Sequence, residues 1–269
     1  MRAALLATSL AAVGCTNSRS PVGPEAAAWN LVWSDEFSGA EEAPVDADSW
    51  QHDIGGDGWG NSQLEYNTDS TDNVRTDGRG ILEIAARKQS YEGNDYTSGR
   101  IKTQDRFEFG YGRVEANIKV PKGGGIWPAF WLLGADFEEV GWPACGEIDI
   151  LEVQGENPAT SLGTVHGPDY SGAAGVGATY TLDEGDFSDD YHLFAVDIDP
   201  GHIAWSIDNE VFHTLTEADL PEGTTWVFDG EWFIILNVAV GGHFVGEVDE
   251  DALPAYMQVD YVRVYERAE

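Results

Sequence analysis

Cysteine is scarce in this chain, whose 269 residues contain two, Cys15 near the N-terminus and Cys145 in the interior. A single interior thiol excludes a framework of internal disulfides. The stability of the domain must therefore come from the packing of its core, with a bound ion as a further source. We interpret Cys145 as a small buried hydrophobic residue and not as a reactive nucleophile.

Basic residues are also few, with 14 Lys and Arg against 48 Asp and Glu and a formal net charge of -34. Such a surface repels phosphates and anionic headgroups, so nucleic acid and anionic membranes are excluded as ligands. The substrate should be neutral or cationic. An acidic excess of this size is also typical of proteins from concentrated salt, where carboxylates keep the surface hydrated. We therefore expect a halophilic protein.

Apolar runs long enough to span a bilayer are missing from the sequence. The run Ala3–Val13 is too short, follows Arg2 and ends in small residues, so residues 1–14 are predicted to be an export signal. The segment Ala12-Val13-Gly14-Cys15 resembles a bacterial lipobox, in which Cys15 would carry a lipid anchor. The alternative is an ordinary cleaved signal with an incidental Cys. Residues 15–28 are predicted to be a flexible linker, so the protein should be secreted or held at the cell surface.

Sustained helical periodicity is missing after residue 28, and short alternating runs take its place. Residues 111–120 alternate polar and apolar side chains, which predicts a strand with one face in a core. Residues 202–207 and 210–215 flank a polar turn and predict a hairpin. A central strand is predicted over 233–240 and a closing strand over 257–265. This spacing predicts one all-β domain over residues 29–269, folded as an antiparallel β-sandwich.

Carboxylates are concentrated in one strand-like segment, Gly146–Glu152. Glu147 and Asp149 are two residues apart and share a face of the strand, while the intervening isoleucines point into a core. In a regular strand Glu152 would fall on the isoleucine face, where an unpaired carboxylate costs roughly several kcal/mol to bury. We therefore predict a β-bulge near Leu151 that turns Glu152 to the side of the other two acids.

Four interpretations of this acidic segment are open. It could be a solvated strand face, a metal site made of hard oxygens, or a chance alternation of acidic and apolar residues. The half-buried character of the flanking Trp142–Cys145 weighs against the first, and the lack of calcium-loop spacing weighs against the second. We favour catalysis, because a retaining glycosidase needs two carboxyl groups roughly 5–5.5 Å apart. A third acid between them would orient the nucleophile.

The order Glu-Ile-Asp-Ile-Leu-Glu at 147–152 resembles the bulged catalytic signature of glycoside hydrolase family 16, in the form typical of laminarinase-type endo-β-1,3-glucanases. Further segments that resemble the family follow in the expected order and cover nearly the whole chain after residue 28: Gly58–Tyr66, Ser98–Ile101, Ile126–Leu133, Thr164–Gly167 and Asn237–Gly242. The resemblance implies a concanavalin A-like β-jelly roll with an open concave cleft, and it makes residues 29–269 the catalytic domain.

The resemblance also implies a retaining double displacement on the β-1,3 bonds of laminarin-type glucans, with mixed-linkage β-1,3-1,4-glucans as further substrates. Glu147 would be the nucleophile, Asp149 the assisting acid and Glu152 the general acid/base. The chemistry would require no cofactor, and the expected partner is a β-glucan polysaccharide bound by a monomer. Two alternatives stay open: a non-catalytic β-glucan-binding module, and a relative that acts on another β-linked polysaccharide.

Ten Trp residues favour a sugar-binding cleft, because the apolar C–H face of a pyranose packs against an indole ring. Trp127 and Trp131 are four residues apart and share a strand face, and Trp142 precedes the acidic segment. These three indoles are predicted walls of sugar subsites. For each of them, ordinary core packing is the alternative.

Four polar residues are candidates for contacts with sugar, and three of them, Asn61, Glu65 and Arg100, match family positions. Asn61, Glu65 and Arg100 would hydrogen-bond the sugar on the non-reducing side, with turn or salt-bridge roles as the alternative. His166 would stack or hydrogen-bond near the cleavage point, unless it is a structural histidine whose hydrogen bonds are satisfied within the fold. The roles of Asn61, Glu65 and Arg100 come from the resemblance alone.

A structural Ca²⁺ on the convex face is also implied by the resemblance. Its ligands would come from the first strand, from a backbone carbonyl in the loop before the third strand, and from the final strand. The matching residues are Glu36, Gly80 and Asp260. For Asp260, which alternates with Val262, ordinary polarity at a strand edge is the alternative.

Overall fold

The computed structural model describes residues 29–268. The predicted export signal over 1–14, the linker over 15–28 and the acylation of Cys15 lie outside these residues. The described part of the chain holds no helix with the length and apolar character needed to cross a bilayer.

Two sheets account for the strands. The eleven-stranded sheet contains β1 (Trp29–Asp35), β2 (Glu41–Ala43), β4 (Glu65–Asn67), β5 (Val74–Asp77), β6 (Leu82–Tyr91), β7 (Asn94–Ser98), β9 (Gly112–Lys119), β14 (His192–Asp199), β15 (His202–Ile207), β16 (Glu210–Thr216) and β18 (Ala255–Arg267). The seven-stranded sheet contains β3 (Gln51–His52), β8 (Arg100–Lys102), β10 (Ile126–Gly134), β11 (Glu147–Val153), β12 (Thr160–His166), β13 (Val176–Thr181) and β17 (Trp232–Val240). The helix α1 (Phe137–Val140) and the 3₁₀ turns Gly172–Ala174, Glu217–Asp219 and Glu250–Ala252 complete the described elements.

The seven-stranded sheet has the order β13-β12-β11-β10-β17-β8-β3, and the main path of the other sheet is β16-β15-β14-β9-β18-β6-β5-β2. Among the described strand pairs, β4 with β7 is parallel and the others are antiparallel. Apolar side chains from both sheets meet in one large core, and each fully buried aliphatic side chain contributes roughly 1.5–3 kcal/mol to the stability. The predicted two-sheet antiparallel sandwich is therefore confirmed.

The individual strand predictions are confirmed as well. The alternating run 111–120 forms β9, whose core-facing residues are fully buried. The hairpin consists of β15 and β16, and Asp208 and Asn209 at its turn have φ of 50° and 67°, as a tight hairpin turn requires. All nine residues of β17 are buried. The strands β10 and β8 flank it, one of its faces packs in the core, and on the other face Phe233 and Ile235 belong to a second apolar cluster.

That second cluster lies on the outer face of the seven-stranded sheet. It consists of Leu133, Cys145, Phe233 and Ile235, with Trp131 packed against them. Cys145 is 4% exposed, and burial raises the pKa of its thiol to about 11. Because the thiolate is the reactive form, Cys145 is an inert packing residue, as its sequence context predicts.

The predicted β-bulge is present in β11. Asp149 pairs with Trp131 on β10 while Leu151 pairs with Phe130, so Ile150 is the extra residue on that side. On the other side, the pairing with β12 shifts between Asp149 and Glu152. Glu152 is therefore turned to the outer face, and the isoleucines before it stay in the core at 0% and 1% exposure.

Glu65 joins the eleven-stranded sheet to the end of β17. Its side chain is fully buried, and its Oε2 accepts a hydrogen bond of 2.8 Å from the backbone N–H of Val240. Burial raises the pKa of Glu65 to about 7, although the Val240 N–H and the charge of Arg100 act in the opposite direction. In this conformation the Glu65 side chain has no exposed surface, and its Oε1 has no hydrogen-bond partner among the described residues. The contact that the structure shows for Glu65 is with the backbone of β17, and the sugar contact stays a prediction.

A buried carboxyl with a raised pKa makes stability depend on pH. Below about pH 4.5 Glu65 is protonated in the folded and unfolded states. Between pH 4.5 and 7 the unfolded chain loses this proton while the folded chain keeps it, so the free energy of unfolding falls. We expect Glu65→Gln to remove this fall, which amounts to about 3 kcal/mol. Urea unfolding at several pH values between 4.5 and 8 measures the difference between variant and wild type.

Glu222→Gln is the matched control, because Glu222 is exposed in a turn and the substitution removes the same charge. Its stability relative to wild type should stay constant over this pH range. A parallel stability curve for Glu65→Gln and wild type would contradict a buried, protonated Glu65.

Candidate active site

Three carboxylates share the outer face of the seven-stranded sheet near its middle. Glu147 opens β11 and pairs with Leu133 on one side and His166 on the other. Asp149 follows on the same face at 2% exposure, and the bulge adds Glu152. The structure thus brings together the three acids predicted from the sequence, on a face that is accessible at Glu147 and Glu152.

His166 lies beside the first two acids at the end of β12. Its Nε2 is 3.1 Å from Asp149 Oδ2 and 3.8 Å from Glu147 Oε1. The approach to Asp149 does not have the geometry of an ordinary hydrogen bond, and His166 Nδ1 has no partner in the described residues. The imidazole therefore lies beside both acids without an ordinary hydrogen bond to Asp149.

Two indole N–H groups hold the outer pair of acids. Trp142 Nε1 donates a hydrogen bond of 2.7 Å to Glu147 Oε2, and Trp127 Nε1 donates one of 3.0 Å to Glu152 Oε1. Trp142 is 47% exposed, whereas Trp127 is 8% exposed and packs against the ring of Phe244 at 4.9 Å. Both indoles thus lie beside carboxylates of the candidate site and orient them through hydrogen bonds.

Burial raises the pKa of all three acids. The pKa of Glu147 rises to about 8, through burial first and the charge of Asp149 second, while His166 and the Trp142 N–H lower it. Burial likewise raises the pKa of Asp149 to about 7. The pKa of Glu152 rises well above its ordinary value, through burial first and then the charges of Asp149 and Glu147. Burial is thus a larger cause of the raised pKa values than the neighbouring charges.

The consequence is that the three acids cannot all be charged at neutral pH. Each added negative charge raises the cost of the next, so the group retains a proton. A proton held next to an ionised carboxylate is the arrangement that lets one acid donate while its neighbour attacks.

Arg100 and Trp131 belong to a stacked group farther along the sheet. The guanidinium of Arg100 lies between two indoles, 4.7 Å from the ring of Trp59 and 4.8 Å from that of Trp131. Its Nε donates a hydrogen bond of 2.9 Å to Asp53, which also pairs with Lys102 at 2.8 Å. Arg100 is therefore held by an ion pair with Asp53 and by two indole rings. These contacts correspond to the salt-bridge role that was the alternative to a sugar contact. One face of Trp131 is covered by the guanidinium.

Other predicted residues fall near this group. Trp127 and Trp131 share the outer face of β10, as their spacing predicts, and Trp131 Nε1 donates a hydrogen bond of 2.8 Å to Asn237 Oδ1. Asn61 is exposed, and its loop is tied by backbone hydrogen bonds to Gly58 and His243. Its side chain remains accessible to a ligand.

Sequence reasoning missed three contributors to this face, Asp53, Trp59 and the side chain of Asn237. Asn237 could have been found, because it is the single amide in the apolar run 232–240 and points to the outer face with Phe233 and Ile235. Asp53 and Trp59 lie in loops or at strand ends, where no periodicity indicates their direction.

The residues predicted for calcium have mixed surroundings. The carboxylate of Glu36 forms two hydrogen bonds of 2.8 Å with Arg263, so the ligand from Glu36 would be its backbone carbonyl. Gly80 lies against that carbonyl and has φ of +95°, which a glycine adopts readily. Asp260 follows the pair Val259↔Leu82 and accepts a hydrogen bond of 3.0 Å from Asn117. These oxygens fit the preference of Ca²⁺.

Another group has donor atoms close enough for a metal ion. Glu147, Asp149 and His166 offer donor atoms within 4.8 Å of one another. This group contains two of the three acids on the outer face and the histidine beside them.

Comparisons with known proteins identify the family to which the chain belongs. Residues 61–263 match the family described as "Glycosyl hydrolases family 16". The chain is 39% identical over 263 residues to a beta-glucanase of Rhodothermus marinus, and the alignment covers 94% of this chain and 91% of the relative. The structure resembles the laminarinase catalytic domain of Thermotoga maritima MSB8 with a TM-score of 0.84 at 46% identity, covering 90% of this chain and 99% of that one.

The endo-beta-1,3-glucanase of Pyrococcus furiosus has the same TM-score of 0.84 and 46% identity, over 90% of this chain and 95% of its own. These similarities extend over the sandwich and include the segment that carries the three acids. They confirm the predicted jelly-roll fold and the predicted glycoside hydrolase class. The chain belongs to glycoside hydrolase family 16.

Proposed function

We propose that this protein is a retaining endo-glucanase that hydrolyses the β-1,3 bonds of laminarin-type glucans. The observation that carries the proposal is the bulge in β11, which adds Glu152 to the face of Glu147 and Asp149. A chain that only binds glucan would not need three mutually repelling, desolvated acids at one point of its surface. The relatives described above, named as laminarinases and glucanases, support the substrate class.

In the first step, Glu147 attacks the anomeric carbon while Glu152 donates its proton to the glycosidic oxygen. The bond from the anomeric carbon to that oxygen breaks, and an ester to Glu147 forms. Trp142 keeps one oxygen of Glu147 oriented, and Trp127 does the same for Glu152. The part of the glucan on the leaving-group side departs with a free hydroxyl.

In the second step, water replaces the departed hydroxyl. The negative charge of Glu147 has been lost in the ester, so the pKa of Glu152 falls and its carboxylate takes a proton from the attacking water. The water oxygen bonds to the anomeric carbon, the ester breaks and Glu147 regains its charge. Two inversions give net retention. Asp149 and His166 stay beside Glu147 through both steps.

Product analysis with laminarin, lichenan, agarose and xyloglucan in parallel tests the proposal. We expect laminarin to be cut internally into short oligosaccharides, with new reducing ends first in the β configuration by NMR. Glu147→Gln should lower kcat on laminarin by about 10⁴-fold or more with the fold intact, while Glu222→Gln should keep the wild-type rate. Near wild-type turnover by Glu147→Gln, or products from agarose and none from laminarin, would refute the proposal.

The Trp142 N–H lowers the pKa of Glu147, because it hydrogen-bonds the charged form. Trp142→Phe keeps an aromatic ring and removes this donor. We expect the acid limb of the kcat/KM profile to move to higher pH by roughly half a unit to one unit, since Glu147 must be ionised to attack. A pH series on laminarin between pH 4 and 9 measures the shift.

Trp226→Phe serves as the control for Trp142→Phe. Its indole N–H also donates to a carboxylate, that of Asp229, in an exposed part of the chain. Its profile should coincide with that of wild type. If Trp142→Phe changed KM alone and left the acid limb in place, Trp142 would be a subsite wall without influence on the nucleophile.

We also propose that the protein is exported as a monomer, with Cys15 as its lipid anchor, and that it is adapted to salt. The charge of -34 supports the adaptation to salt, and activity that only falls as salt is added would contradict it.

A structural Ca²⁺ would be held by the carbonyls of Glu36 and Gly80 and by Asp260, remote from the chemistry. An unchanged melting temperature after chelation would exclude that ion.

A further inference from the structure

The β-bulge in β11 has a partner in the opposite sheet. Trp205 lies on β15, is fully buried in the core, and its indole Nε1 donates a hydrogen bond of 2.8 Å to the backbone carbonyl of Asp149. This carbonyl belongs to the last residue before the shift in strand pairing. A bulge disrupts the ladder locally, so a hydrogen bond from outside the sheet at this point stabilises the bulged backbone.

The chain makes room for this indole on the neighbouring strand. Asp149 pairs with Thr164 and Glu152 pairs with Leu162, so Gly163 on β12 lies opposite the extra residue. A Cβ on Gly163 would be 2.6 Å from Cδ1 and 3.0 Å from Nε1 of Trp205, closer than packed atoms approach. The missing side chain therefore lets the indole reach the bulge. On β16, His213 packs against the Trp205 ring with centroids 5.2 Å apart.

We propose that Trp205 is a positioning residue for the general acid/base: its indole N–H holds the bulge that keeps Glu152 on the catalytic face. The proposal rests on the function proposed above. Trp205 does not reach the outer face and contacts no substrate, so it acts through the backbone alone. Without its hydrogen bond, the backbone between Asp149 and Glu152 is held less firmly, so Glu152 spends less time in the direction that faces the sugar linkage. Full return to regular pairing stays opposed by the cost of burying the Glu152 carboxylate.

The effect should fall on Glu152 and spare Glu147. Glu147 lies before the bulge, in regular register with Leu133 and His166, and Trp142 holds its side chain independently. Glu152 lies after the bulge, so its direction follows from the extra residue. Loss of Trp205 should therefore impair proton donation and leave the attack on the anomeric carbon nearly intact.

Two substrates with different leaving groups separate these steps. When laminarin is cut, the leaving group is a sugar hydroxyl, which needs a proton from Glu152. When a 2,4-dinitrophenyl β-laminaribioside is cut, the leaving group is a stable phenolate, which needs no proton. For Trp205→Phe we expect kcat/KM to fall about 30- to 100-fold on laminarin and less than about three-fold on the aryl glycoside. The ratio of the two values is independent of how much of the variant is folded, because the enzyme concentration cancels.

Trp50→Phe is the matched control. Trp50 is an equally buried indole that donates a hydrogen bond of 2.8 Å to Asp35, in a part of the sandwich remote from β11. It should lower the melting temperature and leave the ratio of the two kcat/KM values at that of wild type. Glu152→Gln gives the reference for complete loss of proton donation, with a fall of about 10²–10⁴-fold on laminarin and a small one on the aryl glycoside.

Gly163→Ala provides a second route to the same change. The backbone of Gly163 is not in the left-handed region, so alanine adds only its methyl group, which displaces the indole and leaves the Trp205 side chain complete. We expect the same selective loss on laminarin. If Trp205→Phe does not fold, Gly163→Ala tests whether the Trp205 hydrogen bond positions Glu152.

The outcomes distinguish the two proposals. If Glu152→Gln lost activity equally on both substrates, the role proposed for Glu152 would be wrong. If Glu152→Gln discriminated between the substrates and both Trp205→Phe and Gly163→Ala kept the wild-type ratio, Trp205 would have no positioning role and the proposed function would stand.

Discussion

One extra residue in β11 decides where the third carboxylate of the site points. In regular pairing Glu152 would lie between the sheets with Ile148 and Ile150, where a carboxylate has neither water nor a partner. The pairing of β11 with β10 and its pairing with β12 are both irregular at this point. A bulge of this kind bends the strand that carries it. The core keeps its aliphatic side chains, and the outer face gains a third carboxylate.

The acids are oriented by neutral donors, although the protein carries a large negative charge. Among the residues that the structure describes, no Lys or Arg forms an ion pair with the three acids, and the indoles of Trp127 and Trp142 donate to them instead. A permanent cation at this place would lower the pKa of Glu152 and remove the proton that the proposed mechanism assigns to it. An indole N–H orients a carboxylate and perturbs its charge state less.

Some residues near the acids are exposed on the outer face of the seven-stranded sheet, and others lie beneath that face or are held by other protein groups. Glu65 and Arg100 match family positions, yet Glu65 is fully buried and Arg100 is held between Trp59 and Trp131 with Asp53 at its side. Their chemistry was recognisable in the sequence, but their accessibility was not. Burial depends on which loops and strands cover a side chain, and residue type alone does not specify that.

The sequence by itself determined the strands, the hairpin at Asp208 and Asn209 and the bulge in β11, because a period of two residues and the cost of burying a carboxylate both act within a few neighbouring residues. Only the tertiary structure decided that Trp205, more than fifty residues from Asp149, donates to the bulge. A contact between opposite sheets depends on how the two layers are stacked, and the pattern along one strand carries no information about that stacking.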